Sequence, residues 1–322
     1  MLAVQMRQTG GPDVLEVLDV PTPTPGPGQI LIQHAAIGLN FIDTYQRSGL
    51  YPLTLPATLG QEGAGVVAAL GEGVTSHKLG DRVAYAAGGG AYAEFNRVSA
   101  GLAVALPAAI SFETAAAAML KGMTAEFLLR RCYPVKPGDC ILIHAAAGGV
   151  GGILVQWAKA LGAVIIGAVG SEQKAAIASS LGCDHVILYR QEDVAARVRE
   201  ITGGKGVAVA YDSVGKDTFE GTLASLARRG MFVSFGNASG PAPEVAPLRL
   251  SRGGSLFLTR PTLGDYVATP AELAACADAL FNVIASGTVK IDIGQTFPLG
   301  QARRAHEALE ARTTVGATVL TV

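Results

Sequence analysis

The stretch from about residue 137 to residue 259 restricts the possible folds most, because short apolar runs alternate there with helix-like segments. Short apolar runs bounded by turn residues are typical of buried strands, and parallel strands need long crossovers such as helices. The stretch therefore predicts an α/β fold with a doubly wound, six-stranded parallel sheet. The predicted strands are 141–144, 164–169, 186–189, 207–211, 231–235 and 255–259, and the predicted helices are 150–161, 172–181, 194–202 and 217–228.

The first hundred or so residues lack this alternation and contain short strand-like runs separated by turns, of which 30–37, 63–70 and 82–86 are the clearest. The proline-rich run 21–28 excludes a helix or a central strand, because proline has no backbone donor and restricts the residue before it. Glycine-rich turns at 71–74 and 80–83 follow. This region predicts a small β-rich, partly barrelled unit.

The last fifty residues begin with a strong helix-start signal at 269–272, where Thr269 is placed at the N-cap, Pro270 at N1 and Glu272 at N3. We expect this helix to run to Gly287. Strand-like stretches at 289–297 and 317–322 follow, around a short helix that contains His306, Leu309 and Arg312. We expect this tail to rejoin the first domain.

A glycine-rich turn, Ala146-Ala147-Gly148-Gly149-Val150-Gly151, lies between the first predicted strand of the parallel sheet and its helix. Its spacing is that of GxGxxG with alanine first. Such a turn lets backbone approach a pyrophosphate closely, and the free amides and dipole of the following helix face the negative charge. A packing role alone is the alternative, but the α/β context favours dinucleotide binding.

The end of the next strand indicates which dinucleotide is preferred. An NAD enzyme usually places a carboxylate there, whereas the run 167–170 ends without an acid. Ser171 is placed to cap the following helix, and Lys174 lies in its first turn, where a cation opposes the helix dipole. A phosphate ligand would account for this lysine, so we expect NADPH. The alternative is a solvated lysine paired with Glu172.

The overall charge excludes a global electrostatic attraction to nucleic acid or membrane, because the formal net charge is −1 and the pI is about 6.5. Charged residues make up only 16% and apolar residues 49%, so much surface must be buried, some of it between subunits. The segment 140–158 carries no formal charge, but four glycines and His144 argue against a membrane span. Residues 1–7 show no secretory signal, and we expect a cytoplasmic protein.

Ordered motifs along the whole chain resemble the zinc-free quinone oxidoreductases related to zeta-crystallin, especially the bacterial ones, within the medium-chain dehydrogenase/reductase superfamily. The motifs are at 38–45, 60–65, 80–83, 144–151, 211–215, 234–237 and 259–261. The resemblance implies a GroES-like catalytic domain from residues 1–122 and 261–322, and a Rossmann NADPH-binding domain at 123–260 with the cofactor in the cleft. It also implies a homodimer.

The same resemblance implies roles for individual residues. The adenosine 2′-phosphate is expected to meet Lys174, Tyr189 and Arg312, and Gly149 and Val150 are expected along the pyrophosphate. The other residues expected to line the cofactor, or the space near the nicotinamide, are Asn40, Tyr45, Thr124, Gly148, Gly151, Gly170, Ser171, Ser213, Phe235, Gly236 and Arg260.

Zinc-dependent relatives place a cysteine near Asn40 and a histidine where Gln61 stands, and they carry a four-cysteine lobe. This chain has four scattered cysteines, none spaced as in a zinc knuckle or redox pair. We therefore expect no metal and no Lewis-acid chemistry.

The expected activity is NADPH-dependent reduction of a quinone, or another planar conjugated acceptor, by hydride or electron transfer. Asn40 and Tyr45 are candidate hydrogen-bond donors to the developing oxyanion, and cofactor positioning or pocket packing is the alternative for both. A second hypothesis for an enzyme is that it reduces the double bond of an enone or a 2-enoyl thioester. A non-enzymatic reading, an RNA-binding or crystallin-like structural protein, has no basic tract or aromatic platform to support it.

Overall fold

The computed structural model describes residues 1–322, which form two compact units. The β-rich unit comprises residues 1–123, 267–285 and 291–322, and the α/β unit comprises residues 124–266 and 286–290. The division expected from sequence assigned residue 123 to the nucleotide-binding domain and residues 261–266 and 286–290 to the GroES-like domain. In the structure, residue 123 belongs to the β-rich unit, and residues 261–266 and 286–290 belong to the α/β unit.

Sixteen strands and ten α-helices make up the two units. The strands are β1 (Leu2–Met6), β2 (Glu16–Asp19), β3 (Gln29–Leu39), β4 (Ala57–Thr58), β5 (Glu62–Leu70), β6 (Arg82–Tyr85), β7 (Phe95–Ser99), β8 (Ala103–Ala105), β9 (Cys140–His144), β10 (Val164–Val169), β11 (His185–Leu188), β12 (Val207–Asp212), β13 (Leu226–Ser234), β14 (Phe257–Thr259), β15 (Ile293–Pro298) and β16 (Ala317–Thr321). The helices are α1 (Phe41–Ser48), α2 (Phe112–Phe127), α3 (Gly149–Ala160), α4 (Glu172–Leu181), α5 (Val194–Ile201), α6 (Phe219–Ser225), α7 (Pro247–Arg252), α8 (Leu263–Tyr266), α9 (Pro270–Ala285) and α10 (Ala302–Glu310).

In the β-rich unit, the long strand β3 organises a seven-stranded sheet of order β15-β16-β3-β5-β6-β8, to which β7 adds. β5 runs antiparallel along nearly all of β3, while β7 pairs with residues 29–33 and β16 with residues 36–39. Two register shifts between β3 and β5 bend the sheet, as bulges do. A smaller sheet has the order β2-β1-β4. One apolar core draws residues from both sheets and from α10.

Local signals explain where the helices of this unit begin and end. Glu272 accepts the Thr269 backbone N–H at 2.9 Å, and the Thr269 hydroxyl accepts the Glu272 N–H at 3.3 Å, which confirms the predicted capping box of α9. This helix ends at Ala285, two residues earlier than expected. α1 ends where Gly49 adopts a left-handed conformation with φ 86°.

The α/β unit contains six parallel strands in the order β11-β10-β9-β12-β13-β14, so the predicted fold class is confirmed. The strand order reverses between β9 and β12, because the chain first builds outward on one side of β9 and then on the other. Ligands of doubly wound sheets bind beyond the carboxyl ends of the strands at such a reversal. The turn that follows β9 therefore lies at the expected binding edge.

The predicted helix 217–228 and strand 231–235 are wrong at their boundaries. α6 covers only Phe219–Ser225, and β13 begins at Leu226, because Leu226 pairs with Val207 before the register shifts. Arg229 takes a positive φ of 61° within this strand. Pairing with a distant strand, which local periodicity does not report, decides this boundary.

None of the helices combines the length and apolar composition needed to cross a bilayer. All four cysteines are free thiols, of which Cys276 is buried and the other three are half-buried. Burial raises the pKa of the Cys183 thiol to about 12, so this thiol stays protonated at neutral pH.

Candidate cofactor and active site

The glycine-rich turn after β9 leaves the first turn of α3 open to a ligand. Ala145 adopts a positive φ of 51°, so the sharp bend falls one residue before the predicted motif. Gly148 is the N-cap of α3 and no side chain caps the helix. A Cβ on Gly151 would lie 2.1 Å from the Ala145 carbonyl oxygen, so only glycine allows this approach of helix to strand. The turn fits a dinucleotide pyrophosphate in both shape and dipole.

A second group of predicted residues lies together beyond the ends of β10 and β11. Ser171 caps α4 by accepting the Lys174 backbone N–H at 3.4 Å, and Lys174 is in the first turn as expected. The Tyr189 hydroxyl lies 3.0 Å from where a Cβ on Gly170 would be. Gly170 thus gives Tyr189 room beside the helix start, and no acidic side chain stands between β10 and Ser171.

The remaining candidates of the α/β unit follow the other half of its sheet. Ser213 follows β12, Phe235 and Gly236 follow β13, and Arg260 follows β14. A Cβ on Gly236 would lie 2.5 Å from the Ser213 carbonyl oxygen, so these two turns are in contact. Arg260 donates to the Pro261 carbonyl at 3.1 Å. Thr124 is half-buried near the end of α2 and is not one of the strand-end residues.

A buried hydrogen-bond network supports the binding edge, and sequence reasoning missed it. The Asp212 carboxylate at the end of β12 accepts two following backbone N–H groups and the hydroxyls of Thr218 and Thr222. His144 at the end of β9 lies 2.8 Å from the Thr222 hydroxyl through Nε2, whereas its Nδ1 has no partner. Burial lowers the pKa of His144, so the ring is neutral. The network ties the ends of β9 and β12 through α6.

In the β-rich unit, Asn40 is held by two buried carboxylates. Its backbone N–H donates to Asp43 at 2.9 Å, which starts α1. Its side-chain amide donates to Glu62 Oε1 at 2.8 Å. Glu62 also accepts the Lys121 ammonium at 2.7 Å and the Leu120 backbone N–H at 2.6 Å. Asn40 was a candidate from the sequence, but no sequence pattern indicated that Glu62, Lys121 and Asp43 would hold it.

Tyr45 lies one turn along α1 from Asn40 and is nearly buried. Its ring meets the edge of Tyr51 at a centroid distance of 5.4 Å and lies 6.3 Å from the tilted ring of Phe41. Tyr51 and Phe41 were not among the predicted site residues. The three rings form an aromatic group beside the first turn of α1, and such rings suit planar, conjugated molecules.

Behind Asp43 runs a buried chain of hydrogen bonds whose direction can be assigned. The Arg47 guanidinium lies 3.0 Å from His306 Nδ1, and because arginine only donates, Nδ1 must accept. His306 Nε2 therefore donates to the Tyr92 hydroxyl at 3.0 Å, and Tyr92 donates to Asp43 Oδ2 at 2.9 Å. Burial and the Arg47 charge lower the pKa of His306 to about 3. Glu310 balances Arg47 through two contacts.

Asn40 and Gln61, which were compared above with the cysteine and histidine of zinc-dependent relatives, carry amide side chains. Gln61 donates to the Gln46 side chain at 3.0 Å, and Asn40 is engaged with Glu62. No group of three or more His, Cys, Asp or Glu side chains within residues 1–322 is arranged to hold a metal ion. Neutral amides are not among the ligands from which protein zinc sites are built.

Arg312 lies outside the predicted short helix, because α10 ends at Glu310 and Arg312 has a left-handed φ of 57°. It belongs to the β-rich unit, whereas Lys174 and Tyr189 belong to the α/β unit. Its role toward a 2′-phosphate therefore stays a prediction.

Comparison with known proteins agrees with both units. Residues 26–108 match the family described as alcohol dehydrogenase GroES-like domain, and residues 149–280 match the family described as zinc-binding dehydrogenase. A quinone oxidoreductase of Pseudomonas aeruginosa is 54% identical, over 98% of each chain. The structure of Escherichia coli quinone oxidoreductase complexed with NADPH has 50% identity and a TM-score of 0.98, with all of both chains covered. A 2-haloacrylate reductase of a Burkholderia species is 43% identical, over 99% of this chain and 98% of that one.

A doubly wound dinucleotide-binding unit together with a GroES-like β unit defines a medium-chain dehydrogenase/reductase. Within this class, the chain shares about half of its residues with curated quinone oxidoreductases over nearly its full length. The chain belongs to the quinone oxidoreductase family and is an oxidoreductase.

Proposed function

We propose that this protein catalyses the zinc-independent, NADPH-dependent reduction of quinones. The observation that carries the proposal is the binding edge of the α/β unit, where the first turn of α3 is uncapped, β10 ends without an acidic residue at its tip, and Lys174 lies in the first turn of α4 that follows. The cofactor is NADPH, with which two similar proteins were crystallised, one of them the Escherichia coli quinone oxidoreductase. A cation beside the adenosine end favours the extra phosphate of NADPH over the bare ribose of NADH.

Zinc independence is supported by the chemistry of the side chains at the corresponding position. The amides of Gln61 and Asn40 stand where zinc-dependent relatives use imidazole and thiolate, and both amides are already engaged with protein partners. A quinone needs no Lewis acid, because its conjugated carbonyls accept electrons readily and spread the developing charge over the ring.

In the proposed mechanism the cofactor supplies the hydride or electrons when bound, and the protein binds, orients and stabilises. The open amides of α3 would hold the pyrophosphate, and Lys174, Tyr189 and Arg312 would hold the adenosine phosphate. The Asn40 amide and the Tyr45 hydroxyl donate hydrogen bonds to the oxygen on which negative charge develops. The rings beside Tyr45 favour planar acceptors over aliphatic ones.

A second candidate, reduction of an activated carbon–carbon double bond, is favoured by the similarity to the Burkholderia 2-haloacrylate reductase. Hydride addition to such a substrate also produces an oxyanion, so the same donors would serve. The two candidates differ in the acceptor and not in the cofactor site.

The deciding experiment follows NADPH oxidation by the purified protein with 1,4-benzoquinone, 9,10-phenanthrenequinone, crotonyl-CoA and 2-chloroacrylate. We expect kcat/KM to be highest for the quinones. Turnover of the thioester or the haloacrylate with no quinone reduction would overturn the proposal in favour of the second candidate. A preference for NADH over NADPH with every acceptor would overturn the cofactor assignment.

A further inference from the structure

The strongest feature not used by the proposed mechanism is a buried ion pair behind the Asn40 amide. Glu62 is 0% exposed and Lys121 is 7% exposed, and their charged atoms lie 2.7 Å apart. Glu62 comes from the first residue of β5 and Lys121 from the middle of α2. Removing a carboxylate from water is strongly unfavourable unless an opposite charge and hydrogen bonds compensate it. The burial of this ion pair therefore indicates a specific role for it in the surrounding structure.

The Glu62 carboxylate is fixed from several directions. Oε1 accepts both the Lys121 ammonium and the Asn40 amide, and Oε2 accepts the Leu120 backbone N–H at 2.6 Å. A Cβ on Gly38 would lie 2.3 Å from Oε1 and 2.1 Å from the Ala116 carbonyl oxygen. Glycine at position 38 thus permits β3, β5 and α2 to meet around the carboxylate.

A fixed carboxylate decides which way the Asn40 amide faces. Carboxylate oxygens only accept, so the NH2 group of Asn40, and not its carbonyl oxygen, must point to Glu62. One N–H remains for another acceptor, and the carbonyl oxygen faces the Asp43 backbone N–H as part of the capping box of α1. If Glu62 lost its charge, the carbonyl end of the amide could turn to face it at the cost of that capping contact, and the N–H group presented by Asn40 would change its position.

We propose that Glu62 and Lys121 are positioning residues that fix the orientation of the Asn40 amide during acceptor reduction. Lys121 acts through Glu62, whose negative charge it balances within the protein interior. The inference rests on the proposed function, in which Asn40 donates to the developing oxyanion. Asp43 completes the arrangement by holding the backbone of Asn40 at the start of α1.

The kinetic test replaces Lys121 with methionine, which keeps the length of the side chain and removes its charge. We expect kcat to fall by on the order of tenfold or more, as for other misplaced catalytic groups, while the Kd for NADPH is unchanged. Lys121→Arg should restore most of the loss. Lys159→Met is the matched control, because Lys159 forms a half-exposed ion pair with Asp184 and should leave kcat unchanged. An unchanged kcat in Lys121→Met, or a parallel loss of NADPH affinity, would overturn the inference.

A spectroscopic test does not depend on activity or on the Lys121 variants. The chain contains four asparagines, Asn40, Asn96, Asn237 and Asn282, so selective 15N-asparagine labelling gives four side-chain NH2 pairs. The Asn40 pair is assigned by its loss in Asn40→Ala. In Glu62→Gln, which keeps the shape and removes the charge, we expect this pair to shift or to split into two states while the other three pairs stay in place. An Asn40 pair identical to that of the wild type would contradict the proposal.

The two proposals can fail separately. If the wild-type protein reduces only double bonds, the Lys121 effect is measured with that acceptor, and the positioning role stands while the quinone assignment falls. If quinones are reduced at the same kcat with and without Lys121, only the positioning role falls.

Discussion

Asp43 differs from Glu62, the neighbouring buried carboxylate, in how its charge is balanced. Glu62 has an ammonium partner, whereas Asp43 accepts only the Tyr92 hydroxyl and a backbone N–H, both at Oδ2, and its Oδ1 has no partner. Burial therefore raises the pKa of Asp43 from 3.8 to about 7, against the smaller effects of these hydrogen bonds. At neutral pH this carboxyl group is close to its titration midpoint.

This shift predicts a pH dependence of folding stability. The native state binds the Asp43 proton more tightly than the unfolded chain, so the contribution is complete below pH 3.8 and is lost as pH rises through about 7. The free energy of unfolding of the wild type relative to Asp43→Asn should fall between pH 4 and 7, by up to about 1.4 kcal/mol per pH unit. Urea unfolding at several pH values measures it.

Comparison with the variant cancels groups that titrate in the opposite sense. Burial lowers the pKa values of His34 and His306 to about 4 and about 3, so their contributions are lost as pH falls below 6.5. Asp13→Asn, which removes a carboxyl group at an exposed site, is the control variant. A wild-type advantage over Asp43→Asn that grows with pH would mean that Asp43 is ionised and well compensated in the native state.

Lys174 carries the prediction about cofactor preference. Lys174→Ala should weaken NADPH binding by about 1–3 kcal/mol, the value of a hydrogen bond between charged groups, and NADH binding far less. Fluorescence titration with both cofactors measures the difference. Lys159→Ala, at a half-exposed lysine of the same unit, should leave both affinities unchanged. Equal losses for NADPH and NADH would show that Lys174 supports the fold or the whole site instead of the phosphate.

At the scale of elements, the sequence predicted best what local periodicity determines. β10 and α4 have the predicted bounds, and the doubly wound sheet of six parallel strands was predicted from the regular alternation of strands and helices. The start of β13 was missed because it depends on pairing between Leu226 and Val207. The Glu62–Lys121 pair joins β5 to α2 across 59 positions, and no spacing rule links such residues. Candidate site residues could be proposed from the sequence where they belong to a motif. The contacts that support them could not be proposed, because they join distant parts of the chain.

The junction of β9 and α3 gives a prediction that belongs to the elements. In Gly151→Ala the added Cβ would lie 2.1 Å from the Ala145 carbonyl, so the start of α3 must move away from the turn. Hydrogen bonds to charged groups contribute about 1.5–3 kcal/mol each, so NADPH affinity should fall by more than about tenfold. Calorimetric titration with NADPH measures the loss.

Gly152→Ala is the matched control one residue further along α3. Its Cβ would meet a flexible Leu181 methyl group at 3.3 Å, and alanine favours the helix, so affinity should stay close to that of the wild type. Equal losses in the two variants would indicate that any added methyl group in this turn disturbs binding, and that the approach to Ala145 has no special role.

At the scale of the whole molecule, the low fraction of charged residues predicts that part of the chain's surface is buried against another chain. Charged residues are 16% of the sequence against roughly 25% in average domains. In the α/β unit, β14 is the last strand of the sheet, and its Phe257 is 56% exposed; Leu248 of α7 is 57% exposed. An edge strand with unpaired backbone groups and an exposed aromatic ring is suited to pair with another chain.

We therefore expect a homodimer that associates through β14. Sedimentation equilibrium should give twice the chain mass of 32.9 kDa, and Phe257→Lys should shift the protein toward the monomer, because the lysine charge would have to be buried between two strands. Leu79→Lys is the control, since Leu79 is 66% exposed but lies in the β-rich unit and outside its strands. A wild-type monomer would remove the prediction, and a dimer that persists in Phe257→Lys would place the interface elsewhere. If NADPH affinity stays constant as the Phe257→Lys dimer dissociates, each chain holds its cofactor site without help from the other.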